Sequence, residues 1–302
     1  EGVGDASPLL GWTETYEECR GAPARAAEVA EHTDWGVALT KTEAPAARHA
    51  LALALQEALA RAASEPLYQN LGADGPVRAV PVNATLSDAP PEETAAAAAD
   101  AVREGFGCLK LKVGARDVEA DLRRIRAVRE RVEAPLRLDA NGAWTLSQAR
   151  RVVDAVADLG VEYVEQPLPA EDLDGHAALR GRGVGIAVDE SLAAYETEQV
   201  LEAGAADVVV LKPMVLGGPD LAREAAMAAR AAGVEPVVST TIDTVVARTG
   251  AVHLAASVPE VGACGLATGS MLRSDLVADP ATVADGTITV PQEPGLGLPT
   301  RP

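Results

Sequence analysis

Three lysines and three carboxylates carry the chemical interest of this 302-residue chain. Lys110 and Lys112 lie in Leu109-Lys110-Leu111-Lys112, Asp139 ends Leu136-Arg137-Leu138-Asp139, and Glu165 ends Tyr163-Val164-Glu165. Asp189 follows Ile186-Ala187-Val188, and Lys212 follows Val210-Leu211. These are short apolar runs of the kind that form buried strands. Lysine is scarce, with four (Lys41, Lys110, Lys112, Lys212) against 22 arginines. A charge inside an apolar run is costly unless it has a partner or a task. The steps from Asp139 to Glu165, Asp189 and Lys212 are 26, 24 and 23 residues, the length of one strand-loop-helix-loop unit. Equal steps bring the side chains to equivalent heights on neighbouring strands. Three carboxylates at one rim repel one another and are tolerated with a cation among them, and hard oxygen donors on rigid strands suit Mg²⁺. Residues i and i+2 of a strand share a face, so Lys110 and Lys112 point to the same mouth, with Lys212 opposite. Such a set offers general acid–base chemistry beside a bound cation, because neighbouring positive charge favours the neutral amine that a lysine base requires.

A single strand-end acid is as often a helix cap or loop-ordering group. Glu190 is expected to partner a lysine, and Asn141 to shape the turn before Gly142. Ser239, Thr240 and Thr241 either line the pocket or cap the next helix. Arg248 and His253 belong to a helix and read as structural or exposed. Trp12 either packs on substrate or anchors its loop, and Leu216-Gly217-Gly218 reads as a tight turn rather than a phosphate loop. The set of strand-end acids and lysines, rather than any one of them, makes the case.

The elements that must position this set alternate. Strands are expected at 78–83, 108–113, 135–139, 161–165, 184–189, 207–211, 235–240 and 263–267. Amphipathic helices are expected at 92–104, 117–131, 147–159 and 219–232, with an earlier one over 44–63. Alternating strand and helix predicts parallel βαβ units, and eight of them predict a (β/α)₈-type barrel of the α/β class, with functional groups at the C-terminal ends of its strands. The barrel spans 77–270. Residues 1–76, beginning with a mobile loop over 1–22, and residues 271–302 then form a second, discontinuous part.

Composition excludes two function classes. A formal charge of −19 repels phosphate backbones and anionic lipid, so no nucleic-acid or membrane partner is expected. No apolar stretch approaches the ~20 residues of a membrane helix. The acids are spread along the chain, as on a solvated surface suited to high salt. Cys19, Cys108 and Cys264 are isolated, with no zinc spacing, and read as reduced and buried, which suits a cytoplasmic location.

The chain resembles the enolase superfamily, in particular its muconate cycloisomerase-like subgroup. That subgroup carries Lys-x-Lys on strand two, matched by Lys110 and Lys112. Asp, Glu and Asp on strands three to five match Asp139, Glu165 and Asp189, and Lys on strand six matches Lys212. The resemblance implies an α+β capping domain formed from both chain ends, whose N-terminal part is incomplete here because the antiparallel strands preceding the mobile loop are missing. It implies Mg²⁺, allows Mn²⁺ as a substitute, and fits a small carboxylate substrate and a homo-oligomer. It implies removal of a proton α to a carboxylate with Lys112 as the base; Lys110 would orient the substrate carboxylate, and Lys212 would act as a second acid/base or a stabilising cation. Ala263-Cys264-Gly265-Leu266-Ala267-Thr268, with Asp275-Leu276 after it, resembles o-succinylbenzoate synthase, the dehydratase of menaquinone biosynthesis. Dipeptide epimerases carry Asp-x-Asp at strand eight, where Cys264–Ser270 has no acid. N-succinylamino acid racemase and muconate cycloisomerase stay open, as does, from a different class, a barrel that only binds ligand.

Overall fold

The computed structural model describes residues 1–299. Seven parallel strands form one sheet in chain order: β1 (Ala84–Leu86), β2 (Leu109–Lys112), β3 (Leu136–Asp139), β4 (Val161–Glu165), β5 (Gly185–Val188), β6 (Val208–Leu211) and β7 (Glu235–Val238). Among the described residues the sheet closes without a regular eighth strand. Gly265 N donates to Val238 O at 2.9 Å and Cys264 N to Pro81 O at 2.8 Å, while Asn83 N donates to Cys264 O at 3.0 Å. Residues 264 and 265 thus bridge the two edges, completing a (β/α)₈-type barrel.

Two expected strands therefore need correction. The run 263–267 makes isolated bridges only, to Val82 and Ser239. The run 78–83 is split. Ala79–Pro81 leaves the barrel and pairs antiparallel with Thr287–Thr289, which pairs with Val283–Ala284. Asp285 and Gly286, both at positive φ (49° and 67°), join these last two strands, the turn that a two-residue hairpin loop requires. Barrel strand β1 begins only at Ala84, beyond the proline that ends the first run. The C-terminal run thereby returns to the segment that enters the barrel.

The outer helices bury small-residue stripes. Leu146–Val156 buries Ala149, Val152, Val153 and Val156, and Pro219–Ala231 buries Ala222, Ala225, Ala226 and Ala229, the spacing of one helical face. Alanine brings helix axes close to the sheet, which compensates for the scarcity of aromatic residues. Helices at Pro91–Arg103, Val118–Arg131 and Pro45–Ala63 match their expected positions within a residue or two. The expected loop 1–22 ends earlier than the sequence indicated, because helix Tyr16–His32 begins inside it. Its start is a capping box, with the Thr15 side chain accepting from Glu18 N and the Glu18 side chain from Thr15 N, a signal that the Gly-rich context masked. Among the described residues no helix is long and apolar enough to cross a membrane. All three cysteines are free and buried.

Candidate active site

The register of the sheet assembles the set. Lys112 lies beside Asp139 across β2 and β3, and Asp139 beside Glu165 across β3 and β4. Glu165 pairs with Ala187, so Asp189, two residues on, shares its face. Lys110 Nζ bridges Asp139 Oδ2 at 2.9 Å and Glu165 Oε1 at 2.6 Å. Lys112 Nζ donates to the same Asp139 oxygen at 2.6 Å and to Asn141 Oδ1 at 2.9 Å. Across the mouth, Lys212 Nζ donates to Asp189 Oδ2 at 2.6 Å. All three carboxylates are buried.

The end of β2 is fixed from outside. Buried Arg124 donates to Lys112 O at 2.9 Å and to Ser87 O at 3.0 Å, and is itself paired with buried Asp121 at 2.9 Å. One guanidinium thereby ties the exits of β1 and β2 together.

The electrostatics follow from crowding. Burial opposes a charge on Lys110, but Glu165, Asp139 and Asp189 hold it protonated well above the ordinary lysine range. Burial also opposes ionisation of Asp139, yet Lys110 and Lys112 keep it below the usual carboxylate range. Glu165 goes the other way. Burial, reinforced by Asp139 and Asp189, pushes it up to about 8 despite the Lys110 contact. Glu190 is raised by burial and by Asp189, and its partner is Asn141 Nδ2 at 2.9 Å rather than the lysine expected of it. Asn141, in the left-handed region at φ 44°, does more than shape a turn. It connects Lys112 to Glu190.

These residues fit a divalent cation in donor chemistry. Glu165 Oε2 and Asp189 Oδ1 are buried with no hydrogen-bond partner, and an orphaned carboxylate oxygen is expensive without a cation or a donor. Among the described residues no group of three or more His, Cys, Asp and Glu is placed to hold a metal ion, and Lys110 lies between Asp139 and Glu165 while Lys212 pairs with Asp189. A dication held by these acids would add positive charge beside Lys110 and Lys212, which favours an anionic substrate.

Above the set lies a cavity of about 260 Å³. Lys110, Lys112, Asp139, Asn141, Asp189 and Lys212 form its floor and sides, with Ser239, Thr240 and Thr241 on one wall. Thr240 and Thr268 share a hydroxyl hydrogen bond of 2.9 Å, so both ends of the barrel closure reach the cavity. The indole of Trp12 lies 3.7 Å from Lys212 Nζ, a cation–π contact. Sequence reasoning missed Asn83, Thr85, Leu9, Ile242 and Met271 in this lining. The misplaced first strand hid Asn83 and Thr85, and nothing in sequence marks the other three. Arg248 and His253 are both buried and structural. Arg248 binds Asp275 at 2.8 Å and Asp279 at 2.7 Å, and His253 stacks on Tyr68.

The strap that carries Trp12 lies flat on helix Pro45–Ala63. A Cβ on Gly4 would come within 1.8 Å of Ala50 O, so only glycine permits that approach. Glu14 then accepts from Ala46 N at 3.0 Å and Ala47 N at 2.9 Å, capping a helix whose own N-cap residue, Ala44, has no side-chain hydrogen bond.

Residues 93–302 match the family model described as "Enolase C-terminal domain-like". The chain belongs to the enolase superfamily. Within that superfamily it falls in the muconate cycloisomerase-like subgroup. It is 35% identical over 258 residues to the L-Ala-D/L-Glu epimerase of Bacillus subtilis, covering 83% of this chain and 70% of the relative. It is 41% identical over 228 residues to the o-succinylbenzoate synthase of Thermobifida fusca, covering 73% and 69%. Among solved structures it is similar to the dipeptide epimerase of Enterococcus faecalis complexed with Mg and the dipeptide L-Leu-L-Tyr, with a TM-score of 0.83 and 30% identity, covering 98% of this chain and 87% of that one. These relatives make the chain an enolase-superfamily enzyme of lyase or epimerase type.

Proposed function

We propose that this enzyme removes the proton α to a substrate carboxylate and eliminates water, as o-succinylbenzoate synthases do in menaquinone biosynthesis. The observation that carries the proton abstraction is the opposed lysine pair, Lys112 on Asp139 and Lys212 on Asp189, flanking one cavity over three buried acids. The wall formed by Gly265, Ala267 and Thr268, which carries no carboxylate to pair with an ammonium group, favours the dehydratase.

Asp139, Glu165 and Asp189 would hold Mg²⁺, or Mn²⁺ in its place, once the lysines yield the carboxylate oxygens. When bound, the ion supplies electrostatic stabilisation of the charge that develops on the substrate carboxylate. Lys110 orients that carboxylate. Lys112, as a free amine positioned by Asn141, takes the α-proton, and as an ammonium returns it to the departing hydroxyl, which leaves as water from the same face. Lys212 balances the negative charge from the opposite face without transferring a proton. Asn141 and Glu190 position the base, and Ser239 and Thr240 contact the substrate. In the same reading residues 77–270 are the catalytic barrel, residues 1–76 and 271–302 make up the capping part, and the enzyme works in the cytoplasm.

A second reading, 1,1-proton transfer by an epimerase or racemase, draws on the same opposed lysines. The test is an assay with 2-succinyl-6-hydroxy-2,4-cyclohexadiene-1-carboxylate with and without chelator, in parent enzyme and Lys112→Ala. Aromatisation that is lost in the variant and in chelator supports the synthase. No turnover, together with deuterium exchange into dipeptides or N-succinylamino acids, transfers the assignment to the epimerases and racemases.

A further inference from the structure

Behind the three acids lies a buried amide that the chemistry above does not use. Gln166 immediately follows Glu165, is fully buried, and sits in the left-handed region at φ 39° although the next residue is Pro167. That backbone is unfavourable for any non-glycine residue, and for one preceding proline in particular. Such an outlier persists only where the surroundings over-determine it.

The surroundings do so here, because every polar group of Gln166 is used across strand exits. Its backbone N–H donates to Ala187 O at 2.8 Å, on β5, and its carbonyl accepts from Gly142 N at 2.7 Å, in the turn after β3. Its side-chain Oε1 accepts from Asp189 N at 2.9 Å and Ser191 N at 3.2 Å. Nε2 donates to Leu168 O at 3.0 Å and Ser191 Oγ at 3.0 Å, which uses both its hydrogens, and His176 Nε2 lies 3.3 Å away. The Leu168 carbonyl can only accept and the Asp189 N–H can only donate, which fixes which end of the amide faces Asp189. One residue thus ties together the exits of β3, β4 and β5, which carry Asp139, Glu165 and Asp189.

We propose that Gln166 is a positioning residue for the divalent-cation site, setting the separation of Glu165 and Asp189 through its bonds to the Asp189 and Ser191 amides, with the Leu168 carbonyl fixing its orientation. The inference rests on the metal reading above and adds a residue outside the ligand set. Outer partners of metal ligands change affinity without touching the ion, by about 10–100-fold on substitution.

The test is titration of purified, chelator-stripped enzyme with Mn²⁺, followed by electron paramagnetic resonance, with urea unfolding in chelator as a second readout. Gln166→Met removes the amide at similar length, and Val153→Ala, a buried change on helix Leu146–Val156, controls for lost stability alone. The expected result is a Mn²⁺ Kd about 10–100-fold weaker in Gln166→Met and within twofold of the parent in Val153→Ala, although both unfold at lower urea. If Gln166→Met does not fold, Gln166→Asn, which keeps an amide but is too short to reach the Asp189 and Ser191 amides, is expected to weaken Mn²⁺ in the same direction by about tenfold. A Kd within twofold of the parent in the folded variant overturns the inference while leaving the metal reading in place. A parent enzyme that takes up no Mn²⁺ overturns both.

Discussion

Asn141 shows how much of this site is arrangement rather than inventory. Its amide accepts from Lys112 Nζ and donates to Glu190, so it links the base to one carboxylate while Asp139 pairs with the base directly. Removing it leaves Lys112 with the Asp139 pairing alone. Asn141→Ala is therefore expected to lower kcat by about 10–100-fold with a smaller change in KM, because a group that only orients a base acts on the chemical step. Glu190→Gln keeps an acceptor for the Asn141 amide and should cost less than about tenfold. Steady-state kinetics on both variants checks this, and a loss confined to KM in Asn141→Ala would assign the residue to substrate binding instead.

At the scale of elements, helix Pro45–Ala63 and the strap before it depend on each other. The helix starts at Pro45 with an alanine as its N-cap, and Glu14 supplies the missing cap from 30 residues upstream of Ala44. A carboxylate at that position also suits the positive end of the helix dipole. Glu14→Ala is expected to lower stability by about 1 kcal/mol and to release the strap two residues from Trp12. The Trp12–Lys212 contact weakens in consequence. KM should rise severalfold while kcat is nearly unchanged, as measured by thermal unfolding and kinetics on one preparation. A loss of stability with no change in KM would mean that the strap holds Trp12 without Glu14.

Over the whole molecule, stability on the acid side is governed partly by histidines that folding keeps neutral. Burial lowers His253 to about 4, and His49 and His176 are shifted in the same direction by the same cause. An unfolded histidine titrates near 6.5, so between about pH 6.5 and 4 the unfolded chain binds more protons. The stabilising contribution is complete above about 6.5 and is lost as pH falls through the folded value, about 3 kcal/mol at most for His253. Glu165, raised to about 8, has the opposite sign, since its burial costs stability as pH rises above the ordinary carboxylate value. The two effects separate by substitution. Urea midpoints measured between pH 7.5 and 4.5 should fall less steeply in His253→Gln, which can still accept from Tyr68 N and donate to Leu296 O. An unchanged slope would mean that other groups govern the acid limb.

The same three scales divide what could be read from the chain alone. Residue types and spacing determined the barrel class and the identity of the acid and lysine set, because β–α periodicity and strand-end charges are local signals. Six of the eight expected strands, from the one carrying Lys110 to the one at Glu235–Val238, fell within a residue or two of their observed limits, since each is an apolar run bounded by glycine, proline or a charge. The first and last expected strands failed for one reason. Near the closure, chain pairing is decided by partners some 180 to 210 residues away, Cys264 for Val82 and Thr289 for Ala79, and periodicity says nothing about partners. Only the tertiary structure decided that Glu190 meets Asn141, that Trp12 covers Lys212, and that Gln166 binds three strand exits at once. Those contacts depend on which side chains the closed barrel brings within about 3 Å, a distance that sequence separation does not encode.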